Sequence, residues 1–400
     1  MNKKISLGSA LMLMSFAVLL TFMITFVNTH SRYNKILADT ELNSKIIAKL
    51  AELDRKVGEN YIKEIDSQKL LDNIADGYVR GLGDKYAEYM TAERYADYMR
   101  ANQGKMVGIG VDVSFIEEKG GVIQVESVYE NSPAEAGGML EGDYIYKVEG
   151  ELVAELGFIE AVNRVKGEAG TSVALTILRG ENHADEIQLA FTRDEVKIQT
   201  VKHRIINGDI GYIKIKDFNQ ETPNEFKEAV DALEKFGAVK YIFDVRNNPG
   251  GDLVGITNTL NYLLPEGPIV RIVYKDKHEE SILSDANEIR APMVVLMNEH
   301  TASAAELFCA ALKDYEKARL IGAKTYGKGT MQSIYQLSDK SAVKFSSAKY
   351  NPPFSDNYDG IGVVPHVEVQ LPDGLLKEKT LDKITDDEDT QLQAAIKALE

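Results

Sequence analysis

The sequence predicts a multidomain α+β protein whose largest part is an α/β core of β-α-β units. Three observations predict it. The chain has 400 residues, more than one ordinary hydrophobic core organises. From about Val196 onward, short apolar runs alternate with helical patterns, as in a largely parallel sheet. Ahead of that region lie an uncharged N-terminal stretch, a helical stretch and a compact run of short strands. The divisions that follow are a membrane anchor at 1–30, a helical N-terminal region at 31–103, a small strand-rich domain at 104–193, the α/β core at 194–380 and a helical tail at 381–400.

Taken in order, Lys3 and Lys4 precede the uncharged run Ile5–Val27. About 20 apolar residues suffice to span a bilayer. Asn28-Thr29-His30 follows, without the small-residue pattern of a signal-peptidase site. The expectation is an uncleaved transmembrane helix. Arg32 and Lys35 on its far side weaken the charge bias, but a short N-terminus before a large globular part puts the bulk outside the cytoplasm. From Thr40 to about Asn102 the pattern is helical, with Leu42, Ile46, Leu50 and Leu53 at three- and four-residue spacing, interrupted by Gly81-Leu82-Gly83-Asp84. These helices and the tail suit dimer contacts and packing within one subunit equally.

Between about Lys105 and Thr192, strands are expected at Val111–Val113, Val122–Val125 and Val173–Arg179, with a helix over Phe158–Val165. The core then reads as strand Gly211–Ile215, helix Thr222–Phe236 opened by Thr222-Pro223, and buried strand Tyr241–Val245. A helix through Leu264, strands Ile269–Tyr274 and Pro292–Met297, and helix Ser303–Tyr315 complete it.

Composition excludes several functions. Hydrophobic residues make up 44% and charged residues 27%, a globular balance. The formal net charge of −16 opposes binding to a phosphate backbone, so no nucleic-acid partner is expected. The single cysteine, Cys309, rules out an intramolecular disulfide and a multi-cysteine zinc site, and its apolar helical surroundings read as a buried structural residue. No two of the six histidines have metal-ligand spacing, so no metal or other cofactor is expected.

Three segments carry chemistry. In Asn298-Glu299-His300-Thr301-Ala302-Ser303-Ala304-Ala305-Glu306, a serine follows an apolar strand and opens a helix. Free backbone N–H groups at such a terminus can hold a developing oxyanion, although serine is also an ordinary N-cap. In Gly322-Ala323-Lys324-Thr325-Tyr326-Gly327-Lys328-Gly329-Thr330-Met331-Gln332, glycines flank Lys328. Lys328, Thr330 and Gln332 share a face if the segment is a strand, and Lys328 and Gln332 also do if it is a helix, so that either way the Gln332 amide can orient the amine. A surface turn with an exposed lysine is the plain alternative. In Asp244-Val245-Arg246-Asn247-Asn248-Pro249-Gly250-Gly251, two glycines at the end of a buried strand can expose N–H groups for half an oxyanion hole, or simply form a tight turn. The surroundings of Ser303 lack the Gly-x-Ser-x-Gly nucleophile elbow, and His300 reads as a solvated loop residue.

Together and in this order, the three segments resemble the C-terminal processing peptidases, a membrane or secreted serine peptidase family with a Ser-Lys dyad. The resemblance runs from Gly81-Leu82-Gly83-Asp84-Lys85-Tyr86 to Asp389. Two departures are Ala305, where the family usually has a second serine, and Pro365-His366, where it usually has Pro-Asp. The resemblance implies a crotonase/ClpP-like core, Ser303 as nucleophile, Lys328 as general base, Gln332 holding the lysine, and an oxyanion hole from Ala304 with Gly250 or Gly251. It makes the small domain a PDZ domain whose loop Val107-Gly108-Ile109-Gly110 takes a peptide carboxylate. Protein or peptide substrates with apolar C-termini are then expected, recruited or gated by that domain. Two other readings stay open: a membrane-tethered PDZ adaptor with an inactive core, and a crotonase-like acyl-transfer enzyme.

Overall fold

The computed structural model describes residues 41–117, 120–180, 185–372, 374–379 and 381–400. The apolar stretch Ile5–Val27 lies outside them. Among the described residues no helix is long and apolar enough to cross a membrane.

The chain divides into two compact units, Met1–Asn73 and Ile74–Glu400. The described part of the first contains a helix over 41–60, with Leu42, Ile47 and Leu53 exposed. The boundary falls within the next helix, and the second unit holds everything after it. The helix Ser67–Arg80 stops at the Gly81-Leu82-Gly83-Asp84 break, where Gly83 takes a positive φ of 71°. The sequence predicts continued helix beyond it. Instead Glu88–Met90 forms a short strand, paired antiparallel with Ala342–Lys344, before the helix Ala92–Asn102. A partner more than two hundred residues away decides this local structure (residues 88 and 344).

The small domain is one antiparallel sheet. Its strands lie in the order Val111–Ile116, Val122–Val128, Tyr144–Val148, Ser172–Arg179 and Asp185–Thr192. Helix Phe158–Val165 seals its core, burying Ala161 and Val165 against Ile145, Leu175 and Ile177. Val111–Ile116 pairs on one side only and is therefore an edge strand. Chain entry and exit run together, because Lys105–Gly108 pairs antiparallel with Asp194–Lys197.

The core contains a six-stranded sheet in the order Val201–Ile206, Ile210–Ile215, Lys240–Asp244, Met293–Met297, Ala318–Gly322 and Val367–Glu368. Only the first pair is antiparallel. The central strand Met293–Met297 is apolar and buried at every position because both faces are covered. Tyr241, Phe243, Val295 and Met297 face helices Thr222–Lys235, Leu253–Asn261 and Ala304–Asp314. Ile242, Val294 and Leu296 pack with Leu392, Ala395 and Leu399 of the C-terminal helix region. A second sheet, not predicted as a separate layer, is antiparallel: Gly267–Tyr274 lies between Glu279–Ser284 and Ala342–Asn351, which also pairs with Thr330–Gln336. Tyr350 and Ala348 of this sheet join the same core as helix Ala304–Asp314.

Candidate active site

Ser303 sits where the strand Met293–Met297 turns into the buried helix Ala304–Asp314. Thr301 anchors the turn, donating its hydroxyl to Val245 O at 2.8 Å. Ser303 itself has φ 56° and ψ −120°. A non-glycine residue in that region is strained by about 1–3 kcal/mol and persists only where its surroundings hold it. Glu306 supplies much of that hold. Its buried Oε2 accepts the N–H of Ser303 at 2.8 Å and of Lys328 at 2.7 Å. Its Oε1 accepts the Gly327 N–H and the Thr325 hydroxyl, both at 2.6 Å. One carboxylate thus ties the backbone of the serine to that of the lysine. The spacing Ser303-x-x-Glu306 is the capping-box signature, and it is the signal in the sequence that points to Glu306.

Ser303, Ala304, Gly251, Lys328, Gln332 and Tyr350 line one cavity of about 500 Å³. Lys328 is partly buried, with Nζ 4.5 Å from the centroid of the Tyr86 ring. Burial, then the neighbouring charge of Lys344, holds its amine below the ordinary lysine value, against the opposing pull of Asp84 and Glu306. Tyr350 donates its hydroxyl to Ser303 Oγ at 3.0 Å and has Lys328 O at 3.1 Å. Tyr86 lies in the turn segment where the family resemblance begins but carries no implied role there, and Tyr350 comes from a strand without a motif.

Gln332 lines the cavity, and among the described residues its amide makes no hydrogen bond to Lys328. Its amide nitrogen donates to Thr330 O at 3.0 Å, with Thr330 Oγ1 and Ser346 Oγ farther off. The strand begins only at Thr330, beyond Lys328, and the register shift between Met331 and Gln332 leaves its extra residue, Ser347, in the partner strand.

The glycine loop lies against the serine. A Cβ on Gly250 would come 2.7 Å from Ser303 Cβ, and one on Gly251 would come 2.0 Å from Phe218 O. Both have positive φ, 113° and 133°, so only glycine fits. The Gly250 N–H is already donated to Asn248 Oδ1 at 2.8 Å. Gly251 lines the cavity beside Ala304. Among the described residues neither the Gly251 nor the Ala304 N–H has an acceptor.

Rival nucleophiles and bases fit less well. Cys309 is fully buried, and burial, then Glu306, pushes its thiol well above the ordinary value. His300 is exposed beside Glu299. Asp217 does line the cavity, and burial pushes its carboxyl up to about 6.

In the small domain, Gly108, Ile109 and Gly110 border a second, apolar cavity of about 40 Å³, with Val111 and Val113 of the edge strand and Val162 and Val165 of the helix. Val107 instead pairs with Glu195 in the entry-exit ribbon and does not line it.

A strained serine at a helix N-terminus shares its cavity with a partly buried lysine and, among the described residues, two unpaired N–H groups, an arrangement suited to a serine-type peptidase. Comparison with known proteins agrees. The family model for peptidase family S41 matches residues 209–369, and that for a PDZ domain matches residues 124–179. The carboxy-terminal processing protease CtpA of Bacillus subtilis (strain 168) is 35% identical over 81% of this chain and 69% of its own. A CtpA-like serine protease of Staphylococcus aureus (strain COL) is 32% identical over 89% of this chain and 71% of its own. A solved structure from Bacteroides fragilis, given as an S41 protease, has the same fold, with TM-score 0.56 at 16% identity over 85% of this chain and 91% of its own. The chain belongs to the S41 peptidases, the family of the carboxy-terminal processing proteases.

Proposed function

We propose that the chain hydrolyses peptide bonds through a dyad of Ser303 and Lys328, on protein substrates recognised by an apolar C-terminus. The observation that carries the reading is the strained Ser303 sharing a cavity with a lysine whose amine is held below its ordinary value. A lysine accepts a proton only when neutral, and bringing it from about 10.4 to about 7–8 costs roughly 3.5–4.5 kcal/mol. Burial supplies a shift in that direction. Neutral Lys328 takes the Ser303 proton as Oγ bonds to the carbonyl carbon. The carbonyl oxygen becomes an oxyanion held by the N–H groups of Ala304 and Gly251. Lys328 then protonates the leaving amine, and water hydrolyses the acyl-enzyme by the same route.

The PDZ domain takes the substrate's C-terminus. An edge strand open to a further strand, the Gly108–Gly110 turn and a small apolar cavity support β-strand addition with an apolar last side chain. Incubation with an unfolded protein tests the catalytic reading. Cleavage is expected from the wild type and not from Ser303→Ala or Lys328→Arg, since a guanidinium stays protonated. Cleavage that survives either substitution rejects the dyad.

One observation favours a second reading of the base. Asp217 lines the same cavity with its carboxyl near 6. A base there would give a rate rising through pH 6 that disappears in Asp217→Asn. The run Ile5–Val27 supports a single membrane span with the globular part outside the cytoplasm. Release of the full chain from membranes by alkaline carbonate would reject that anchor.

A further inference from the structure

We propose that Tyr350 is a catalytic residue of this peptidase: its hydroxyl donates to Ser303 Oγ and stabilises the negative charge that develops there as the proton leaves. The inference rests on the Ser303–Lys328 reading and adds a third group to it.

The geometry is specific. Tyr350 lies near the end of the strand Ala342–Asn351, and its ring is buried in the core. Tyr358 meets that ring edge-on, at 6.1 Å between centroids, and donates its own hydroxyl to Ser303 O at 3.3 Å. The Tyr350 backbone is held as well, its N–H reaching Gly329 O at 3.2 Å and its carbonyl accepting from Asn357 at 2.9 Å. A phenol fixed in this way cannot swing away from the serine.

Its one proton has two acceptors within reach, Ser303 Oγ at 3.0 Å and Lys328 O at 3.1 Å. That choice is what makes the contact useful. A hydrogen bond to an ionised oxygen is roughly twice as strong as one between neutral groups. The Tyr350 proton therefore favours Oγ most when Oγ carries charge, which is during attack. Once Oγ has bonded to the acyl carbon it is a poor acceptor, and the proton turns to Lys328 O. When deacylation breaks that ester bond, Oγ regains charge and the contact returns. The interaction is stronger in both transition states than in either ground state, which is the condition for accelerating the chemistry.

No proton is transferred to or from Tyr350. Lys328 receives the Ser303 proton, the Oγ electron pair forms the bond to carbon, and the carbonyl π pair moves to oxygen. Tyr350 keeps its own proton, because burial, opposed only in part by its hydroxyl neighbours, raises its phenol well above the ordinary value. A phenol so protonated donates at working pH and does not compete with Lys328 as base. Donation by Tyr350 also leaves the Ser303 proton without an acceptor among the described residues in this state, free to be offered into the cavity.

The test uses the full chain and a fluorophosphonate, a neutral reagent that phosphonylates a nucleophilic serine. The second-order labelling rate at Ser303 is measured for wild type and Tyr350→Phe, beside kcat and KM on an unfolded protein. Tyr350→Phe is expected to slow labelling and kcat about tenfold, equivalent to about 1.4 kcal/mol, with KM, melting temperature and the midpoint of the pH profile unchanged. A labelling rate within twofold of wild type overturns the proposal, as does a loss matched by a fall in melting temperature. Should the phenylalanine variant fail to fold, 3-fluorotyrosine at position 350 keeps the shape and makes a better donor; faster labelling supports the role and an unchanged rate overturns it. Wild type that is labelled, but not at Ser303, overturns the nucleophile reading itself, a separate result from a normal Tyr350→Phe.

Discussion

Ser303 carries both the proposed chemistry and a backbone cost, and the two can be separated. Its φ of 56° places Cβ in a region that L-residues avoid. Ser303→Ala and Ser303→Gly both delete the hydroxyl, but only glycine relieves the strain. We expect Ser303→Gly to be the more stable by about 1 kcal/mol, read as a higher denaturant midpoint at equal slope. Equal midpoints would mean that the turn is not strained. Glu306 explains how the strain is sustained, since its two oxygens collect four donors from the serine turn and the lysine loop. At this scale sequence was a partial guide. Ser303 and Lys328 were legible from ordered motifs. The contacts of Gln332 were not, because its amide turns to Thr330 and to Ser346 of a partner strand that sequence does not place. Tyr350 was not, because its partner lies across the fold (residues 303 and 350).

Among the elements, the strand end that bears the glycine loop is held by a buried ion network. Arg246 reaches Asp244 at 2.6 Å and Asp389 at 2.8 Å, all three essentially inaccessible to solvent. Asp389 also caps the helix Thr390–Ala398, so the network joins the strand end that bears the glycine loop to the chain's last helix. Arg246→Met strands two buried carboxylates and should cost about 3–5 kcal/mol, measured by denaturant unfolding. The sign with pH follows from Asp244. Burial alone would raise its carboxyl, but the Arg246 guanidinium holds it below the usual value. A depressed carboxyl contributes stability above its unfolded pKa of about 3.9 and loses it as pH falls through the folded value. Arg246→Met should therefore unfold at a higher pH during acid titration, and an unchanged acid midpoint would exclude the network from acid stability. The parallel strands around it were readable because runs such as Tyr241–Asp244 are buried on both faces. The antiparallel layer was not read as a layer. Its strand Thr330–Gln336 is only half-buried and polar, and Glu88–Met90 is too short to show a period.

For the whole molecule, the question is how the PDZ domain is joined to the peptidase cavity. The entry-exit ribbon of Lys105–Gly108 and Asp194–Lys197 begins directly beside the Gly108–Gly110 turn. An ion pair also links the two parts, Lys216 of the core reaching Asp112 of the edge strand at 2.9 Å. If an apolar C-terminus enters the small cavity, a charge on its wall should exclude it. Val162→Asp is expected to raise KM at least about tenfold for a protein ending in an apolar residue, since burying an unpaired charge is costly. Amidating that substrate's C-terminus should raise KM as well, and the two changes together should add little. Additive effects would mean that the terminus binds elsewhere.

The central claim is that Lys328 is the base for Ser303, and the pH dependence of Ser303 labelling by a fluorophosphonate tests it most directly. Burial and Lys344 depress the Lys328 amine, so the neutral fraction grows as pH rises through a midpoint below the ordinary lysine value of about 10.4. The expected profile is a single limb rising with pH to a plateau, absent in Lys328→Ala. A limb centred near 6 that vanishes in Asp217→Asn, or labelling that is unchanged in Lys328→Ala, would contradict the account.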